Sequence, residues 1–151
     1  MVISFSSCEA FAEGISRLCP VLEIEIGEGG YSLRAEQADH LGASLSGKSG
    51  VIYYKEKIHF FRALGLFVEK ARLGSDFEVK EDLSFDTVGM MFDTSRFGGL
   101  KLSAIKEQLN YLALMGYNLY MLYPCLMLHN QNIDNSHPMS AIRSQIPLYS
   151  H

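Results

Sequence analysis

Hydrophobic positions along the chain alternate between two periods, and the changes of period mark a succession of short helices and strands. Phe11, Ile15 and Leu18 share one face of a predicted helix over Cys8–Leu18, with Ser7 as a possible cap. Pro20 is expected to end it and to introduce an alternating strand, Leu22–Ile26. Gly27, Gly29 and Gly30 signal a turn, after which Tyr31–Ala35 reads as extended. Leu41–Leu45 and Val51–Tyr54 flank a Gly47–Gly50 turn and predict a hairpin. Lys57–Arg72 is an amphipathic helix with Ile58, Phe61, Leu64, Val68 and Ala71 on one face and Gly74 as its stop. Phe77–Phe85 alternates in part and is a further strand candidate.

The stretch from Val88 to Tyr123 carries the most information. Val88–Phe92 is almost uniformly apolar, as expected of a strand covered on both faces. Ile105, Leu109, Leu112 and Met115 then recur at helical spacing, with Lys101, Lys106, Glu107 and Asn110 opposite. Ser103 can cap this helix, and Gly116 suits the left-handed position that closes one. Leu119–Tyr123 is a second apolar strand after the polar break at Asn118. Strand, helix and strand in this order predict a right-handed parallel crossover, so the fold class is α/β. Asp93 and Arg96 fall at and just past the end of the first of these strands. Ligands of α/β proteins gather at that end. The planar fork of an Arg suits vicinal hydroxyls or a carboxylate; the plainer alternative is an Asp–Arg pair that only fastens the loop.

MMFDTSR, followed by a helix ending LALMGYN and a buried strand, resembles the opening of the catalytic barrel of glycoside hydrolase family 20, the β-N-acetylhexosaminidases. The resemblance covers roughly residues 20 to 123 and is better after Lys57. It implies an N-terminal α+β sandwich over residues 1–84, a small sheet with helices on one face. The first strand–helix–strand unit of an incomplete (β/α)8 barrel follows over 85–123, and 124–151 form an irregular tail foreign to the family. By the same resemblance Arg96 contacts hydroxyls of a terminal N-acetylglucosamine or N-acetylgalactosamine, and Asp93 orients it. Family members use substrate assistance, in which the acetamido oxygen attacks the anomeric carbon. An adjacent Asp–Glu pair on a later strand then handles orientation and proton transfer. No Asp–Glu dipeptide occurs here; Glu81–Asp82 has the reverse order and reads as a solvated pair. A full barrel takes about 250 residues, more than all 151 of this chain. The expectation is therefore a truncated hydrolase fragment, inactive alone, with no cofactor and an exposed barrel edge through which it self-associates.

Composition narrows the alternatives. A net charge of −4 with scattered basic residues argues against a nucleic-acid partner. No apolar run approaches a membrane span, and MVISFSSCEAF lacks the basic start and long apolar region of a leader, so a cytoplasmic location is expected. Cys8, Cys19 and Cys125 lack a pairing pattern and read as free thiols. His129, His137 and His151, with Cys125 and Asp134, fit no zinc spacing, so no metal site is expected. Gly27-Glu-Gly-Gly lacks the ending of a phosphate loop. Two other readings stay open. One is a stand-alone carbohydrate-binding or interaction module using the N-terminal sheet, although the chain has no Trp to stack on sugars. The other is a small α/β enzyme of another family using Asp93 and Arg96.

Overall fold

In the computed structural model, residues 1–93, 101–123 and the backbone of 143–144 are described. Six strands form the first sheet: β1 (Val2–Ser6), β2 (Glu25–Ile26), β3 (Tyr31–Gln37), β4 (Leu41–Ser46), β5 (Ser49–Tyr54) and β6 (Phe77–Glu81). Their spatial order is β2-β1-β3-β5-β4-β6. The strands β2, β1, β3 and β5 run parallel, while β4 is antiparallel to both β5 and β6.

Two helices, α1 (Ala12–Leu22) and α2 (Lys57–Ala71), cover one face of this sheet. Strand alternation sends Ile3, Leu33, Ala43, Leu45 and Ile52 inward, where they meet Ile15, Leu18, Phe60, Leu64 and Phe67 in one core. Phe11, in a single 3-10 turn ahead of α1, stacks on Phe60 with ring centroids 4.0 Å apart. All five expected face positions of α2 are buried, and so are Phe60, Ala63, Leu66 and Phe67, because α2 is packed on more than one side. Gly74 ends the helix in a left-handed conformation, its amide donating to the Ala71 carbonyl at 3.1 Å.

A second sheet holds β7 (Gly89–Asp93) and β8 (Leu119–Tyr123), parallel and joined by α3 (Leu102–Leu114). Gly116, at φ +80°, turns the chain out of α3 as expected. Helix α3 packs on α2 at its C-terminal end, where Ala113 joins the core of the first sheet. The short strand β9 (Arg143–Ser144) pairs antiparallel with β8, an extended contact within the stretch expected to be irregular. The rest of that tail lies outside the described residues.

Several local expectations fail for identifiable reasons. Val2–Ser6, which shows none of the features of a leader, is a strand. Leu22–Ile26 is not one strand: α1 runs through Pro20 to Leu22, and only Glu25–Ile26 is extended. Burial of Leu18 and Leu22 holds that last turn, and the Arg72 guanidinium donates to the Leu22 carbonyl at 2.8 Å. Ser7 caps nothing; it sits at φ +56° before the 3-10 turn. Ser103 lies inside α3, whose N-cap is Lys101 with no side-chain hydrogen bond. The strand expected to Phe85 stops at Glu81, and Phe85 is exposed. Finally, β7 is covered on one face only among the described residues, since Met91 is 63% exposed.

Candidate functional site

The parallel pair β7–β8 places its two carboxyl ends side by side, with Asp93 opposite Tyr123. Alternation divides the pair into two faces. Met90, Phe92, Tyr120 and Leu122 pack with Ile105, Leu109 and Leu112 of α3. Asp93, Met91, Met121 and Tyr123 therefore belong to the other face, away from the helix. A carboxylate at the last strand position is thus held at the rim, on the side where an α/β unit presents its ligands. Asp93 is exposed there. Arg96, its expected companion, lies outside the described residues, as does the whole of 94–100.

The opposite end of the same strands is held by Asn118, which sequence patterning showed only as a polar break. Its Oδ1 accepts from the Val88 amide at 2.9 Å, and its Nδ2 donates to the Asp86 carbonyl at 2.8 Å. The Asn118 and Leu119 amides both donate to the Val88 carbonyl. These bonds pin the start of β7 to the start of β8. Between the strand pair and α3, the Tyr120 hydroxyl donates to Gln108 Oε1 at 2.8 Å, which satisfies a buried polar group. Burial raises the pKa of this phenol, so it stays protonated as a donor at neutral pH. A signal for Asn118 did exist: a short polar side chain directly before an apolar strand can serve backbone groups at the strand's mouth.

A second concavity lies on the outer face of the first sheet, a shallow cavity of about 490 Å³. Register builds its floor in rows. Ser32, Ser49 and Ser46 are successive neighbours across three strands. Ser6, Arg34, Val51, Ser44 and Glu78 form the next row. Arg34 pairs with Glu36 at 3.1 Å, both half exposed, so this floor is polar and close to neutral.

Among the described residues no group of three His, Cys, Asp or Glu side chains is placed to hold a metal ion. The tail residues Cys125, His129, Asp134, His137 and His151 lie outside them. Cys8 and Cys19 are free thiols. Among the described residues no helix is long and apolar enough to cross a membrane.

No family model and no curated protein matches the chain. Among solved structures, it is similar to a GH20 exo-β-N-acetylglucosaminidase from Vibrio harveyi in complex with N-acetylglucosamine. The TM-score is 0.56 at 15% sequence identity, covering 80% of this chain and 21% of that one. The likeness is one of fold: a six-stranded sheet with helices on one face, followed by a strand–helix–strand unit, is consistent with the N-terminal domain and barrel start of such an enzyme.

Proposed function

We propose that this chain is the N-terminal part of a glycoside hydrolase that removes terminal β-linked N-acetylhexosamine with retention, by substrate assistance. Residues 1–84 are its α/β domain, 85–123 the first unit of its barrel and 124–151 a tail outside the family pattern. The observation that supports the reading best is the likeness over 80% of the chain to an enzyme crystallised with N-acetylglucosamine. In this reading Asp93 and Arg96 are the surviving wall of the sugar pocket. The rim position of Asp93 at the end of β7 agrees with that role.

The acid–base step has no residues to perform it here. A glycosidase of this kind needs one carboxyl group to orient the acetamide and another to protonate the leaving oxygen. No Asp–Glu dipeptide occurs in the 151 residues. The chain by itself therefore does not cleave glycosides. An assay of the purified chain with an aryl N-acetyl-β-glucosaminide tests this directly. Background hydrolysis is the expected result, and turnover above background would refute the reading.

A second reading is favoured by one observation, the cavity of about 490 Å³ on the polar face of the first sheet. Its serine rows and Arg34 could hydrogen-bond a glycan, which would make the chain a binding module rather than part of an enzyme. The absence of Trp removes the usual stacking platform and ranks this reading second.

A further inference from the structure

The strand–helix–strand unit has little interior of its own. Of its described residues only Leu112, Ala113 and Tyr120 are buried, and Ala113 belongs to the core of the first sheet rather than to the unit. Two strands and one helix with so small a core are marginal in water. The first sheet is in the opposite position, since it buries Phe60, Phe61, Phe67, Ile3, Ile15, Leu18, Leu33 and Ile52 almost completely.

The two parts meet where α2 faces the end of α3. Arg62 of α2 grips Glu81 of β6 through two nitrogens, Nε at 3.0 Å and Nη2 at 2.6 Å. Its remaining nitrogen, Nη1, donates to the Leu114 carbonyl at 3.4 Å. That carbonyl is among the groups a helix end leaves without an intrahelical partner, and the cation sits at the negative end of the α3 dipole. Gly65, one turn along α2, leaves room for Leu114: a Cβ there would already touch its Cδ2 at 3.5 Å. A Cβ on Gly116, where the chain turns toward β8, would meet the aliphatic stem of Arg62 at 3.6 Å.

We propose that this side of α2 is a template on which the strand–helix–strand unit folds, with Arg62 as the latch. Glu81 holds the guanidinium in place before the unit arrives, so the latch is preorganised by the first sheet. Closing it fixes the end of α3, and hence the point where the chain enters β8. The dependence runs one way: the first sheet keeps its structure without the unit, and the unit does not keep its own without the first sheet. This inference rests on the packing alone and does not require the glycosidase reading.

Amide hydrogen exchange on the full chain tests it, with Arg62→Met, Gly65→Leu and Leu112→Ala compared with the parent. Arg62→Met keeps an aliphatic stem beside Gly116 and deletes the guanidinium, while Gly65→Leu adds bulk on the side that meets Leu114. Loss of a charged hydrogen bond in Arg62→Met, and overpacking against Leu114 in Gly65→Leu, imply that both variants speed exchange in 102–114 and 119–123 by about tenfold or more. Exchange in 31–54 is expected to match the parent in all three variants. Unchanged protection of the unit in either α2 variant would overturn the template. So would loosening of 31–54 by the same factor as the unit in Leu112→Ala, because the dependence would then run both ways.

Discussion

Gly30 passes so close to Val2 that a Cβ on it would lie 1.9 Å from the Val2 carbonyl oxygen. The chain leaves β2 on one side of β1 and must reach β3 on the other, and this crossing allows no side chain. Gly30→Ala must push the crossing off β1 or strain it, a cost of about 1–3 kcal/mol by analogy with overpacked cores. An unfolding free energy from urea titration lowered by that amount is the expected outcome. Gly29→Ala differs in kind: it meets nothing within 4 Å, and its cost comes only from φ +91°.

Acid weakens the start of α2. His59 accepts the Glu56 amide on Nδ1 at 3.0 Å, and its own backbone amide bonds the Glu56 side chain, closing a capping box. Burial, more than the nearby Lys55 charge, holds the imidazole pKa below its ordinary value. The unfolded chain therefore takes up a proton near pH 6.5 while the folded chain resists it. This contribution is complete above about pH 6.5 and is lost as the pH falls toward the lowered folded value. His59→Gln keeps a side chain that can serve the same box without titrating. Urea midpoints between pH 7.5 and 5.5 should fall less in His59→Gln than in the parent; equal slopes would contradict the account.

The Cys8 thiol should be inert. It is buried, donates to the Ser6 carbonyl at 3.2 Å, and burial pushes its pKa up to about 11. At pH 8 almost none of it is thiolate, so labelling waits for unfolding. Mass-resolved labelling should show Cys8 reacting at the rate of global opening, and Cys8→Ser should leave the fast-reacting thiols unchanged.

Much of this architecture was legible in the sequence. The helical faces of Lys57–Arg72 and of Ile105–Met115, the hairpin about Gly47, and the strand Leu119–Tyr123 all followed from period and turn residues. Strand β1 was missed, although Ile3 and Phe5 alternate with Ser4 and Ser6. What remained hidden joins residues distant in sequence. The Arg62–Glu81 pair, the Arg72 bond to Leu22 and the Asn118 pin on Val88 leave no mark on local periodicity. Pro20 misled because α1 runs on through it to Leu22, whose side chain is buried in the core. Of the candidate site, the position of Asp93 at the end of a parallel strand was legible, while the pairing that sets Tyr123 beside it was not.

Self-association through the face of β7 and β8 away from α3 is expected. Met91 is 63% exposed and Tyr123 42%, on strands whose character is apolar. Such a surface recruits further chains unless something covers it. Sedimentation should show mass rising with concentration, and Met91→Glu should reduce the effect. A parent that stays monomeric at high concentration would contradict this.

The sugar-site account is tested most directly by a ¹⁵N-resolved NMR titration of the full chain with N-acetylglucosamine. The account predicts weak binding, because one wall of a pocket cannot desolvate its ligand. Shifts should be confined to the carboxyl ends of β7 and β8, around Asp93 and Tyr123, and should vanish in Arg96→Ala. Shifts centred instead on Ser32, Arg34 and Ser49, or no shifts at all, would contradict it.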